Sequence, residues 1–294
     1  MARSLSLCFA AYVAALIAAL AVGSSMSGAQ PLLVALAADV AATLVVFAFS
    51  VALDNSSMYD PYWSVAPLPI ALYFALQPGR TLITLGPRGW LLLVLVAVWS
   101  VRLTYNFLRG WQGLAHEDWR YVDMRQKTGR AYWLVSLLGI HLFPTLMVFG
   151  GCLPLYAALA RGARPLNFVD ALAALVTGLA IAIEAIADAQ LRRFRLRRDR
   201  RPDEIMDRGL WAWSRHPNYF GEMAFWWGLW LFALAAGPGN AWTVAGALAI
   251  TLMFHLVSLR LLETRMLERR PAYAERVRSV PAFVPYRRAG KVRA

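Results

Sequence analysis

The chain has 294 residues, of which 59% are hydrophobic and only 16% charged, whereas a soluble domain carries roughly 25% charged residues. Its apolar residues form continuous blocks rather than alternating ones, which excludes a soluble globular protein and a β-barrel and predicts an all-α polytopic membrane protein. The net charge of +13 then indicates basic loops at a membrane surface and not a nucleic-acid partner.

Eight apolar blocks follow one another along the chain. Their approximate ranges are 5–22, 31–53, 61–77, 88–108, 131–158, 166–190, 211–236 and 241–262. The first could be a signal peptide, because Ser27-Gly28-Ala29 resembles a cleavage site, but we expect an uncleaved span because the chain re-enters the membrane almost at once. The third is short and interrupted by Pro67 and Pro69, which is typical of a helix that lines a cavity.

Three parts are expected from this pattern: an N-terminal span and turn (1–30), a transmembrane core (31–263) and a basic tail on the membrane surface (264–294). Lysine and arginine number five in 109–130, eight in 192–208 and nine in the tail, against two, two and none in the alternate loops. The basic segments therefore fall on the cytoplasmic side. With eight spans both termini are cytoplasmic, and with seven the N-terminus is outside.

The polar segment from Arg215 to Glu222 (RHPNYFGE) lies where the seventh block enters the membrane. On a helix, Arg215, Asn218, Tyr219 and Glu222 would share one face. Polar groups at membrane depth are usually kept for binding. The alternative is an interfacial anchor, in which the cations snorkel to the surface and tyrosine joins an aromatic belt. An anchor does not need Asn, Gly and Glu at this spacing, so binding is favoured.

A second polar stripe ends the sixth block, where Glu184, Asp188, Arg192 and Arg195 share a helix face. Such a mixture of arginines, carboxylates and amides suits an anionic, polyhydroxyl cofactor, because arginines clamp phosphates bidentately. The sequence has neither a Gly-x-Gly-x-x-Gly nor a P-loop motif, so side chains between helices must hold the cofactor. Cysteine and histidine show no metal-ligand spacing, and no metal is expected.

The RHPNY-x-GE motif resembles the C-terminal signature of the steroid 5α-reductase-like membrane family. Three motifs of the N-terminal half are similar to the same family: YDPYWS (59–64), Arg102-x₃-Asn106 and EDWRY (117–121). In the C-terminal half the similarity continues in Glu184-x₃-Asp188-x₆-Arg195 and in the residues near the C-terminus, Arg260, Glu263, Pro271, Tyr273 and Pro281. The resemblance covers about residues 35–285 and is strongest to a bacterial branch of unassigned function. The Arg-His-Pro core alone is shared with isoprenylcysteine carboxyl methyltransferases and sterol reductases.

The resemblance implies a seven-helix reductase core with an extra N-terminal span, in the inner membrane of a bacterium. It also implies NADPH bound in a cavity open to the cytoplasm, and hydride transfer to a C=C bond conjugated with a carbonyl in a steroid-like or other lipid. The implied cofactor-binding residues are Arg102, Asn106, Arg120, Glu184, Asp188, Arg192, Arg195, Arg215, His216, Asn218, Tyr219, Glu222, Arg260 and Glu263.

Asp60 falls where the steroid enzymes carry a catalytic glutamate, and an acid there could donate a hydrogen bond as enolate charge develops. Those enzymes pair the acid with a tyrosine, but Trp99 takes that position here, and indole has no useful acidity. Tyr59, which we expect to be catalytic, or Tyr62 or Tyr105 would have to replace it.

Two other functions remain open at this stage. The first is an S-adenosylmethionine-dependent methyltransferase acting on a lipid or a prenylated thiol or acid, and the second is a transporter or scaffold. S-adenosylmethionine is cationic at sulfur and has no phosphate, so it has little use for so many arginines. A transporter would more often show internal repeats and charges at the membrane midplane, whereas here the charges cluster at one surface.

Overall fold

The computed structural model describes residues 1–161 and 164–285, and within these ranges all regular structure is helical. This confirms an all-α polytopic membrane protein. Six helical stretches in these ranges are long and apolar enough to cross a membrane, by length and composition: Ala2–Ser25, Pro31–Ala52, Pro87–Gly110, Trp119–Ala160, Phe168–Arg195 and Pro238–Arg269. The chain divides into two compact units, Met1–Ala163 and Arg164–Ala294.

The N-terminal unit is built from eight α-helices within its described residues. They are α1 (Ala2–Ser25), α2 (Pro31–Ala52), α3 (Tyr62–Val65), α4 (Pro67–Ala75), α5 (Pro87–Gly110), α6 (Trp119–Thr128), α7 (Tyr132–Val135) and α8 (Phe143–Leu155). The first apolar block is one continuous helix, α1, which packs along α2. The third block is short and divided, as predicted, and Pro67 begins α4, where its missing N–H costs nothing.

The fifth apolar block contains two π-helical stretches, Ser136–Leu142 and Tyr156–Ala160, on either side of α8. Pro144 and Pro154 lie close to them. A proline cannot donate the usual helical hydrogen bond, so the ladder is locally rearranged next to it. Next to these two prolines the helix therefore forms wider turns.

The C-terminal unit contains five α-helices within its described residues. They are α9 (Phe168–Arg195), α10 (Pro217–Ala236), α11 (Val244–Met253), α12 (Leu259–Arg269) and α13 (Tyr273–Ser279). A capping box of Asn167 and Asp170 begins α9. The helix runs five residues beyond the predicted end, so that Arg192, Arg193 and Arg195 lie in its last turn, where cations interact favourably with the helix dipole.

The seventh apolar block differs from its prediction in one respect. Helix α10 begins at Pro217, and His216 is its N-cap residue with φ −139° and ψ 64°. Arg215 therefore precedes the helix, and the prediction that it shares a helix face with Asn218 and Glu222 is wrong. The physical reason is that a residue before proline is disfavoured in the α-helical conformation.

Residues 264–285 of the predicted tail fold against the C-terminal unit, and residues 286–294 lie outside the described residues. Tyr273 and Phe283 are buried. The backbone N–H groups of Arg215 and His216 donate to the carbonyls of Pro281 and Ala282, each at 2.9 Å. The segment at Pro281 and Ala282 is thereby attached directly to the polar segment at the start of α10.

Helices α9 and α10 approach closely at Gly221. A Cβ atom placed on Gly221 would lie 2.8 Å from the carbonyl oxygen of Ala180 and 2.9 Å from the backbone nitrogen of Glu184. Backbone atoms cannot rotate away as a flexible side chain can. The absence of a side chain at Gly221 therefore sets the separation of the two helices.

We expect Gly221→Ala to lower the free energy of unfolding by about 1–3 kcal/mol, because the added methyl group overpacks the contact between α9 and α10. Thermal unfolding of the purified protein in detergent measures this. Gly178→Ala is the matched control on α9, since a Cβ there meets no described atom within 4 Å and alanine is the better helix former. Equal stability of Gly221→Ala and the native protein would show that the helices separate at little cost.

Candidate functional site

The candidate residues are divided between the two units. In the N-terminal unit, the turn that carries Asp60 is held by hydrogen bonds. Asn55 caps the 3₁₀-helix Ser56–Tyr59 by accepting from the N–H of Ser57, and its amide donates to the carbonyls of Leu114 and His116 at 2.9 and 3.1 Å. These hydrogen bonds fix the turn to the loop that precedes α6, without the help of a ligand.

Asp60 contacts two side chains from the start of α6. The Tyr121 hydroxyl donates to Oδ1 at 2.5 Å, and an Nη of Arg120 lies 3.6 Å from the same oxygen. Only 16% of the Asp60 side chain is exposed. Burial raises the pKa of Asp60 to about 6, although the positive charge of Arg120 acts in the opposite direction. The carboxyl group is thus titratable near neutral pH and has a phenol beside it.

Tyr59 occupies a different environment from Asp60. Its side chain is buried, and its hydroxyl is hydrogen-bonded to Thr145 at 2.7 Å. Burial raises the pKa of Tyr59 above its ordinary value. Tyr62 stacks on Tyr59 at 5.2 Å and donates to Asp39. The structure gives neither tyrosine a hydrogen bond to Asp60, and the catalytic role expected for Tyr59 stays a prediction.

Sequence reasoning missed Tyr121 as the partner of Asp60. Tyr121 belongs to the EDWRY segment that the family resemblance brought out, so the signal was present. The two residues are 61 positions apart, and no periodicity along one helix relates them. Trp99, which takes the place of the family tyrosine, is fully buried, and Tyr105 is 58% exposed.

The other candidates of the N-terminal unit lie on α5 and α6. Arg102 and Asn106 are half-buried and one turn apart on α5. The Nε of Arg120 donates to Asp118, the N-cap residue of α6, at 2.7 Å. Arg120 thus acts in this cluster as the cation between Asp118 and Asp60, and its part in cofactor binding stays a prediction.

In the C-terminal unit, Arg215 is hydrogen-bonded to α12, to α13 and to the residue after α13. Its Nε donates to Glu263 at 2.6 Å, and its Nη1 donates to the carbonyls of Val277, at 3.0 Å, and Val280. The Arg215 side chain is 8% exposed and the Glu263 side chain 14%. These contacts make Arg215 and Glu263 positioning residues for helix α12 and the segment that follows α13.

His216 and Tyr219 form an aromatic stack at the start of α10. Their ring centroids are 5.6 Å apart with an interplanar angle of 17°, and Tyr219 also contacts Phe254 at 4.7 Å. The Nε2 of His216 lies 3.3 Å from Glu263. His216 is thereby oriented by both an aromatic neighbour and a carboxylate.

Replacing Glu263 by glutamine tests this positioning role. We expect Glu263→Gln to destabilise the C-terminal unit by about 2 kcal/mol, because a charge-assisted hydrogen bond to a buried guanidinium becomes a neutral one. Thermal unfolding and limited proteolysis of the chain end report the change. Glu268→Gln is the control, because Glu268 is exposed on the same helix. Identical behaviour of the two variants would contradict the role of Glu263.

The last turn of α9 gathers positive charge. Arg195 lies within electrostatic range of Asp188, Tyr219, Arg200 and Arg270. Arg270 is held in place by a hydrogen bond from its Nε to the carbonyl of Pro202, at 3.1 Å, and Arg200 lies over the ring of Phe194 at 5.6 Å. Sequence reasoning did not select Arg200 or Arg270. Both come from basic runs in which spacing does not separate surface charge from site charge.

The remaining candidates lie on three helices of the same unit. Glu184 is buried on α9 and Arg192 is half-buried there, Arg260 is exposed on α12, and Glu222 is buried on α10. The Oε1 of Glu222 accepts from the indole N–H of Trp226 at 3.0 Å. The carbonyl oxygen of the Asn218 side chain is buried and has no hydrogen-bond partner among residues 1–161 and 164–285. A ligand N–H or O–H would satisfy this acceptor.

A cavity of about 740 Å³ also lies in the C-terminal unit. Its wall includes Arg215, Phe220, Trp227, His255 and Phe283. This combination of aromatic rings with a few polar groups is typical of small-molecule sites. Across the described residues, no three His, Cys, Asp or Glu side chains group as metal ligands would.

Comparison with known proteins gives a family match and a relative of similar sequence. A family model described as "Protein of unknown function (DUF1295)" matches residues 46–280, and this family is associated with steroid 5α-reductase-like proteins. The chain is 29% identical over 262 residues to an uncharacterized protein of Schizosaccharomyces pombe, and the match covers 82% of this chain and 76% of that protein. No solved structure matches the chain.

Proposed function

The chain belongs to the DUF1295 family, and from this membership and the candidate residues of the two units we propose that it is an NADPH-dependent reductase of the membrane. Its substrate would be a steroid-like or other lipid with a C=C bond conjugated to a carbonyl. The protein would be multi-pass in the inner membrane of a bacterium, with its cofactor site facing the cytoplasm.

The observation that carries the proposal is that Asp188, Arg200 and Arg270 all lie within electrostatic range of Arg195. Arginine binds phosphate oxygens bidentately, and NADPH has three phosphate groups. Asp188 is suited to accept hydrogen bonds from ribose hydroxyls. S-adenosylmethionine offers no phosphate and carries a positive charge, so the same arginines would repel it.

The buried acceptor of Asn218 adds to this fit. The carboxamide of a nicotinamide ring has N–H groups that can donate to it. Arg215 and Glu263 support this part of the site indirectly, because they hold the segment that pairs with the start of α10. The residues present therefore fit a dinucleotide cofactor, and NADPH, when bound, would supply a hydride to the β-carbon of the enone.

Asp60 and its neighbours in the N-terminal unit would provide the acid that acts on the substrate. Protonated Asp60 could donate a hydrogen bond to the carbonyl oxygen of the substrate as negative charge develops there. Tyr121 already donates to Oδ1, which leaves Oδ2 to carry the acid proton. Hydride addition at the β-carbon would leave an enolate, and a proton taken up from water at the α-carbon would complete the saturated product.

Isotope transfer tests the chemistry. The purified protein would be incubated with a panel of enone steroids and isoprenoid enones and with NADPH deuterated at C4 of the nicotinamide. We expect one deuterium at the β-carbon of the reduced product, read by mass spectrometry. Parallel incubation with methyl-labelled S-adenosylmethionine and a prenylated cysteine is the control for the alternative. Methylation of that acceptor, with no deuterated product, would overturn the proposal.

A further inference from the structure

A separate cavity of about 430 Å³ lies in the N-terminal unit, between α1, α2 and the segment of α3 and α4. Small and aliphatic side chains make most of its wall, among them Ala15, Ala19, Ala38 and Ile70. Its volume is within the roughly 300–1,000 Å³ of small-molecule sites. Asp60 is not part of this wall, so the cavity is distinct from the Asp60 cluster.

The wall of this cavity contains a buried acid, Asp39. It lies within the membrane-spanning helix α2 and is 5% exposed. Its Oδ1 accepts from the Tyr62 hydroxyl at 2.8 Å, and that hydroxyl also lies 3.1 Å from the Asp39 carbonyl. Its Oδ2 is buried without a hydrogen-bond partner in the described parts of the chain. An ionisable residue at membrane depth is costly and usually has a binding role.

Neighbouring polar groups of the wall are already hydrogen-bonded. The Tyr12 hydroxyl donates to the carbonyl of Met58 at 3.0 Å, and the Ser24 hydroxyl donates to the carbonyl of Ala21 at 2.9 Å. Asp39 differs from both because one of its oxygens is buried and unsatisfied. Leaving such a group unpaired is energetically costly, so a ligand that pairs with it gains an anchor.

The chemistry of the wall limits what this ligand can be. A hydroxyl group suits Oδ2 in either protonation state, since it accepts from a carboxylic acid and donates to a carboxylate. An anionic headgroup would be repelled by a carboxylate, and a pure hydrocarbon would leave Oδ2 unsatisfied. We propose that this cavity binds a neutral lipid with a hydrocarbon body and a single hydroxyl group, whose oxygen pairs with Oδ2 of Asp39. A polycyclic alcohol and a straight-chain alcohol share this chemistry.

The test measures binding of four probes to the full chain in detergent by native mass spectrometry. The probes are cholestanol and cholestane, and 1-hexadecanol and hexadecane, so that each alcohol is paired with its hydrocarbon. We expect at least one alcohol to bind the native protein at least tenfold more tightly than its hydrocarbon. The alcohol that binds more tightly shows whether the cavity takes a polycyclic or a straight-chain hydrocarbon body.

Three variants locate the site. Asp39→Leu should remove the preference for alcohol over hydrocarbon, and Ala38→Phe should abolish binding of both by filling the cavity. Leu44→Phe is the matched control, because Leu44 is exposed on the same helix and does not line the cavity. It should bind as the native protein does.

Several results would overturn the proposal. They are failure of both alcohols to bind the native protein, equal binding of alcohol and hydrocarbon, and an unchanged preference in Asp39→Leu. If Asp39→Leu does not fold, unchanged alcohol binding by Ala38→Phe overturns it instead. The proposal does not depend on the reductase function, and NADPH binding measured on the same samples separates the failure of one from that of the other.

Discussion

Asp60→Asn is expected to slow enone reduction by a factor of about 10² to 10⁴, the usual contribution of a positioned general acid. Asparagine keeps the size of the side chain and can still accept from Tyr121, but it cannot provide an acidic proton to the substrate oxygen. Affinity for NADPH should be nearly unchanged, because the arginines proposed to bind its phosphates, Arg195, Arg200 and Arg270, belong to the C-terminal unit. Steady-state turnover and cofactor titration on the same preparation separate the two effects.

Asp54→Asn is the matched control for this variant. Asp54 is 76% exposed and pairs with Arg125 at 2.8 Å. Its φ of 50° is one that asparagine tolerates. This control should turn over at the native rate. Full activity of Asp60→Asn would remove Asp60 from the chemistry.

The pH profile gives a second readout of Asp60. Burial raises its pKa from the ordinary 3.8 to about 6, so the protonated form that donates to substrate is lost as pH rises through 6. Turnover should therefore fall above about pH 6, approaching tenfold per pH unit, and Asp60→Asn should lack this slope. The free energy of unfolding depends on pH in the same direction. The stabilisation from protonated Asp60 is fully present below its unfolded-state pKa of 3.8 and is lost as pH rises through its folded-state pKa of about 6. A turnover that rises across this range would contradict the assignment.

Arg195→Ala is expected to weaken NADPH binding by about 10- to 100-fold, the effect of losing one or two charge-assisted hydrogen bonds to phosphate. Arg195 lies among Asp188, Arg200 and Arg270, where several cations would act on one polyanion. Binding should also lose part of its dependence on salt concentration, since one fewer cation interacts with the phosphates. Fluorescence titration of NADPH at two ionic strengths measures both changes.

Arg198→Ala is the control for Arg195→Ala. Arg198 belongs to the same basic run and is exposed, so its removal changes net charge equally without touching the group around Arg195. Its NADPH affinity should stay within about twofold of native. Equal losses in the two variants would show that only the overall positive charge matters.

Much of the fold could be predicted because apolar block length and helix length are directly related. The block at 166–190 predicted α9, and the stripe from Glu184 to Arg195 lies on that helix. The helix runs further than hydropathy suggested, because the arginines that end the apolar block are good helix formers and are favoured in a last turn.

The start of α10 was less well predicted for a local reason. The periodicity of Asn218, Tyr219 and Glu222 predicts that Arg215 shares their helix face, but Pro217 marks the first turn of the helix. Arg215 instead pairs with Glu263 and with carbonyls near residue 280. A partner nearly fifty or more positions away cannot be found from the spacing of residues along one helix.

The candidate site shows the same limit. Asp60 was selected by family resemblance, but its contact with Tyr121 depends on how the turn after α2 meets the start of α6. Arg270 approaches the end of α9 only because α12 and the following turn bring it there. Composition and periodicity indicate which residue types a site needs. The tertiary contacts decide which residues of each type come together in the site.

The most direct test of the reductase account is a binding titration of the detergent-purified protein with NADPH, NADH and S-adenosylmethionine, followed by thermal unfolding. A ligand at about 100 times its dissociation constant stabilises the folded state by about 2.7 kcal/mol. We predict such stabilisation by NADPH, a smaller effect of NADH, which lacks the third phosphate, and none by S-adenosylmethionine. Stabilisation by S-adenosylmethionine alone, or by none of the three, would contradict the account.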